Sequence, residues 1–196
     1  MRKKTAHALL HLLVWISVVV PTSVARAQGL LSLYLEDTFS SSDLEDDTGT
    51  VTVYVVHNLT PGATGMAYRI DNCNTTLTWL GDTNHQNAIG DSQVGVELEY
   101  PCSPGPILLQ TVTYWGTSDS PGNGALLARP HPNSTTGDIE GRDCEQNVGT
   151  VLGGCICVKC SPQYTCELAI PPWTAPPCGA LPVEESSWGR IKSLYR

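Results

Sequence analysis

Eight cysteines are the residues of this chain best suited to chemistry. Six of them, Cys144, Cys155, Cys157, Cys160, Cys166 and Cys178, crowd into the stretch 144–178, while Cys73 and Cys102 stand apart. Cys157-Val158-Lys159-Cys160 has a two-residue gap that suits a disulfide, half of a zinc knuckle or a redox dithiol. Zinc would need Cys155, Cys166 or Cys144 to complete four ligands, yet the segment has no second C-x-x-C and no histidine. A redox pair lacks the surrounding βαβ pattern, and Ser161 stands where haem attachment needs histidine. The expectation is therefore four disulfides, with no metal and no other cofactor. Proximity of the predicted strands favours Cys73 with Cys102, which leaves the other six to pair among themselves. Zinc held by the C-terminal cysteines is the alternative.

No catalytic residue is expected elsewhere. His57, His85 and His131 have no metal-pair spacing, and no Gly-x-Ser-x-Gly elbow occurs. Glu97 and Glu99 alternate along one predicted strand and so share a face. Paired carboxylates can hydrolyse glycosides, but two acids on the wet side of a strand are the plainer reading. The acidic run Asp43, Glu45, Asp46, Asp47 lacks the spacing of a calcium loop and reads as solvated. Trp79 and Trp115 both fall in predicted strands, with Tyr54, Tyr68, Tyr100 and Tyr114 in the same pattern. They are the candidate ligand-binding residues: exposed aromatics on a sheet can stack on sugar rings. Aromatics that close the edges of the core are the preferred reading of the same residues. Trp173, among prolines, reads as a local clasp. Asn58, Asn74 and Asn133 match the N-glycan acceptor pattern, which matters only in a eukaryotic host.

The compartment follows from the first 27 residues. Arg2, Lys3 and Lys4 precede an apolar run from Ala8 to Val20, and Ala25-Arg26-Ala27 forms a small-x-small cleavage site. Residues 1–27 are expected to be a signal peptide and Gln28 the first mature residue. The protein is expected to be secreted, whether periplasmic or extracellular, with no transmembrane segment. Cleavage leaves 7 basic residues against 19 acidic, a net charge of −12. Such a surface repels phosphates and excludes nucleic acid as a partner.

The positioning elements are strands. Leu31, Leu33 and Leu35 alternate with polar residues, and Thr50 to His57 places Val51, Val53 and Val55 on one side. Met66–Ile70, Thr76–Leu80, Val94–Tyr100, Ile107–Trp115 and Ala125–Ala128 follow. Turns are read at Thr60-Pro61-Gly62, Leu80-Gly81-Asp82, Ile89-Gly90-Asp91, Ser103-Pro104-Gly105 and Ser120 to Gly124. Short strands at this spacing predict an all-β fold, an antiparallel β-sandwich over residues 28–135. Residues 136–182 read as a cysteine- and proline-rich segment with too few apolar residues for its own core. Residues 183–196 (VEESSWGRIKSLYR) form a tail with acid first and base last, either a short helix or a sorting or docking element.

Leu33 to Glu36 with Thr50 to Ile70 resembles uncharacterised secreted proteins of environmental bacteria, and Ser186 to Arg196 resembles a short ending that recurs on such proteins. A valine-alternating strand, a Pro-Gly turn and then Gly65-Met66-Ala67-Tyr68-Arg69-Ile70 is similar to cohesin modules and carbohydrate-binding sandwiches. The resemblance implies an Ig-like or cohesin-like sandwich that presents a binding face on one sheet. The chain departs from those families in its cysteines and in lacking a dockerin or hydrolase partner domain. A non-catalytic binding or structural module at or beyond the cell surface is the function expected, with an unknown protein or glycan as partner. A carbohydrate-binding module using Trp79 and Trp115 is the second expectation.

Overall fold

The computed structural model describes residues 28–39, 41 and 43–160, and all regular structure among them is β. Twelve strands follow in order: β1 (Leu30–Tyr34), β2 (Asp43–Leu44), β3 (Gly49–Asn58), β4 (Ala63–Cys73), β5 (Thr78–Asn84), β6 (Asn87–Asp91), β7 (Gly95–Ser103), β8 (Ile107–Gly116), β9 (Gly124–Pro130), β10 (Ile139–Asp143), β11 (Val148–Gly153) and β12 (Cys155–Val158). The period-2 pattern dictates this. In β3 the side chains of Val51, Val53 and Val55 are buried while Thr50, Thr52 and Tyr54 face outward.

One layer runs β1-β3-β8-β5, antiparallel throughout. The other has β6-β7-β4 on one side, and beyond β4 lie β9 and β10 placed end to end. β12 flanks β9 and β11 flanks β10. The sandwich is not purely antiparallel: β1 pairs in parallel with β11 and so joins the layers along one side, and β12 pairs in parallel with β2.

Between the layers Leu31, Leu33, Val53, Val55, Val112 and Tyr114 meet Met66, Tyr68, Ile70, Val96, Leu98, Leu126, Ile139 and Ile156, all buried. Each such aliphatic contributes about 1.5–3 kcal/mol over an exposed position. Two buried hydrogen-bonded groups link the layers. The Tyr68 hydroxyl donates to Gln110 Oε1 at 2.5 Å, and Gln110 Nε2 donates to Asn84 Oδ1. His57 is fully buried: its Nε2 donates to the Gln28 carbonyl at 2.8 Å, which leaves Nδ1 to accept from the Tyr100 hydroxyl at 3.0 Å. Burial holds the His57 pKa below its ordinary value, against the opposing pull of the Gln28 carbonyl.

Two expected turns are strand. Leu80-Gly81-Asp82 lies inside β5, where the register shifts between Trp79 and Gly81 and throws Leu80 outward. That bulge turns the Asp82 carboxylate inward, where it accepts from Trp79 Nε1 (3.0 Å), Ser92 N (2.6 Å) and Ser92 Oγ (2.7 Å). Asp82 thereby ties the β6–β7 turn to the opposite layer and closes the side of the sandwich away from β1. Ile89-Gly90-Asp91 is the end of β6, and the chain reverses one step later, where Asp91 Oδ1 accepts from Gln93 N and Val94 N.

Residues 139–158, expected in a separate cysteine- and proline-rich segment, supply β10, β11 and β12 to the sandwich, with Ile139, Val151 and Ile156 in its core. The proline-rich remainder of that segment, the tail 183–196 and the leader 1–27 lie outside the described residues.

Candidate functional site

The outer face of the second layer carries a groove. β4 is its floor because Gly65 and Ala67 point outward there and offer almost no side chain. A Cβ at Gly65 would meet the Leu98 carbonyl at 2.9 Å. β7 and β10 flank β4 on either side, which puts the walls about 10 Å apart. Register sets the residues that face one another. Ile89, Glu97, Ala67 and Glu140 form one row, and Asn87, Glu99, Gly65, Arg142 and Val148 the next. The cavity holds about 190 Å³, and His131 and Ser134 also line it. Ile89 (78% exposed) and Val148 (57% exposed) give it apolar rims.

Electrostatics divide the two walls. Glu140 is a fixed anion: Oε1 accepts from Ser134 Oγ, Thr135 N and Oγ1, and Thr136 N and Oγ1. Burial pushes its pKa up, but these hydrogen bonds outweigh it and hold the carboxyl below the usual range. A group so held keeps its charge and is unsuited to act as a general acid. Arg142 reaches over Gly65 to place Nη1 3.6 Å from Glu99 Oε1, and a Cβ at position 65 would lie 3.9 Å from its Cδ. Glu97 has no ion pair or hydrogen bond among the described residues, although it faces the groove.

Glu97 and Glu99 do share one face of β7, as the alternation required, and both are exposed. Sequence reasoning did not select Gly65, Ala67, Glu140, Arg142 or Ile89 as site residues. The outward Gly-x-Ala of β4 was a visible signal, but the strands that flank it are set by pairings far apart in sequence.

The two candidate tryptophans lie on opposite faces of the first layer. Trp115 shares a row with Thr50 and Thr78 on the outside and is 44% exposed. Trp79 stands opposite Tyr114, half-buried against the core, with Nε1 on Asp82. They cannot form one stacking platform. Tyr68, Tyr100 and Tyr114 are buried, whereas Tyr54 faces outward beside Phe39, with ring centroids 6.4 Å apart.

The cysteine pairing also differs from expectation. Cys102 is bonded to Cys144 (Cα–Cα 5.2 Å), not to Cys73. Ala63 lies opposite Ser103, so Cys102 sits at the start of β4, while Cys73 ends that strand about 33 Å away. Cys157 is bonded to Cys160 (Cα–Cα 5.7 Å), which removes the thiolates that zinc would need. Cys73 and Cys155 are disulfide-bonded too; Cys166 and Cys178 lie outside the described residues. Among the described residues no group of three or more His, Cys, Asp or Glu is arranged to hold a metal, and no helix is long and apolar enough to cross a membrane.

No protein-family model and no curated protein matches the chain. Solved structures do. A cohesin–dockerin complex of Clostridium thermocellum (Coh-OlpA-Doc918) matches at 10% identity, with 66% of this chain and 99% of that chain covered and a TM-score of 0.43. The sixth cohesin of scaffoldin B from Acetivibrio cellulolyticus, in complex with a Cel5 dockerin, matches at 10% identity over 67% of this chain and 98% of that chain, with a TM-score of 0.42.

Proposed function

We propose that this chain is a secreted, non-catalytic protein-binding module that docks its partner on the outer face of the second layer. The groove over Gly65 and Ala67 carries this reading. It is side-chain-sized and smaller than the usual small-molecule site of about 300–1,000 Å³. The exposed apolar side chains of Ile89 and Val148 beside polar walls offer the mixed apolar and hydrogen-bonding contacts that a protein interface uses. Disulfides and a strongly acidic surface suit residence outside the cytoplasm.

The test uses the full chain and variants of both outer faces, with the host's extracellular proteins in native mass spectrometry. Ala67→Trp fills the groove floor from the solvent side and should abolish a complex that the wild type forms, while Trp115→Ala should leave it intact. A complex lost in Trp115→Ala and kept in Ala67→Trp would move the docking face to the first layer and contradict the proposal.

A further inference from the structure

The charge of the groove specifies its occupant. Sixteen acidic residues face four basic ones over residues 28–160. Those four are engaged: Arg69 and Arg129 with Asp71, Arg142 with Glu99, and Lys159 Nζ with the Ser118 carbonyl. Nothing basic among the described residues answers Glu97, and Glu99 has only one 3.6 Å contact to a half-exposed guanidinium. Arg142 shows what the groove can hold. Its side chain crosses Gly65 and presents a guanidinium to a carboxylate on the opposite wall.

We infer that the groove receives a lysine or arginine side chain from an extended segment of the partner protein. The inference rests on the docking reading above. The cation lies between Glu97 and Glu99, and its methylene stem packs on Ile89, which β6 places beside Glu97. The neighbouring strand supplies the complementary backbone. Among the described residues β6 pairs only with β7, so its other edge offers free N–H and C=O groups to an added strand.

The probes are three capped hexapeptides, TVRVRT, TVQVQT and TVEVET, titrated into the full chain with the methyl signals of Ile89 as readout. The arginine peptide should shift the Ile89 signals, bind more weakly as salt is raised, and lose about tenfold in affinity when Glu97→Gln and Glu99→Gln are combined. Equal binding of the glutamine peptide, or indifference to the double variant, overturns the inference of a basic occupant. A wild-type complex lost only in Ala67→Trp would still leave the docking reading standing. Failure of all three peptides to shift the Ile89 signals also overturns the inference. Binding of the arginine peptide only after deletion of residues 183–196 would assign the groove to this chain's own basic tail and overturn the assignment to a partner.

Discussion

Replacing both Cys102 and Cys144 with serine should cost the protein about 4 kcal/mol. The bond spans 42 residues, from the end of β7 to the β10–β11 turn. Loop-closure entropy for a ring of that length gives about 4 kcal/mol at 25 °C, as an upper value, because other bridges already restrain the unfolded chain. The Cys157–Cys160 bridge spans 3 residues, and the same relation gives about 2 kcal/mol. The ratio is the sharper prediction, since both bridges act in one chain with one unfolded ensemble. Urea unfolding of the full chain at constant pH measures both double variants against the wild type. Against a typical domain stability of about 5–15 kcal/mol, the first variant should be visibly marginal. A loss below about 1 kcal/mol for Cys102/Cys144, or a smaller loss there than at Cys157/Cys160, would refute the reasoning. Peptide mapping that joined Cys102 to Cys73 would refute the topology itself.

Acid should destabilise the fold through His57. Its folded pKa is depressed, so below about pH 6.5 the unfolded chain takes up a proton that the folded chain refuses. Stability then falls by up to about 1.4 kcal/mol per pH unit until the folded pKa is reached. Unfolding at pH 7 and pH 5.5 should show this excess loss in the wild type and not in His57→Asn. Asp82→Ala removes the acceptor of three short hydrogen bonds at the closing side and should cost about 2–4 kcal/mol by urea unfolding, with a loss under 0.5 contradicting its role. Trp79→Ala should cost about 3 kcal/mol, while Trp115→Ala, on the solvent side, should stay within about 0.5. Equal losses at the two tryptophans would contradict their opposite facing.

The strands were legible wherever alternation survives. Leu31 to Tyr34, Thr50 to His57 and Ile107 to Trp115 lie on β1, β3 and β8, where Leu31 and Leu33, then Val51, Val53 and Val55, then Val112 and Tyr114 are buried in alternation. Gly81 and Gly90 misled, since glycine marks a bulge or a strand position as readily as a turn. The C-terminal part misled for another reason. Residues 139–158 are too poor in apolar side chains to build a core, but three strands need only add a residue or two each to a core that already exists: Ile139, Val151, Ile156 and Val158 do so. The pairing of cysteines depends on which strands adjoin and in what register, and neither is written locally. The same holds for the groove. Glu97 and Glu99 could be placed on one face, but their neighbours Glu140 and Arg142 arrive from about forty residues away through β4.

The most direct test of docking on the second layer is site-specific photocrosslinking in the host's extracellular fraction. A photoreactive residue at Asn87 or at Val148 should yield an adduct with another protein, and the same residue at Thr52 or Thr113 should yield none. Adducts from Thr52 and Thr113, with silence at Asn87 and Val148, would contradict it.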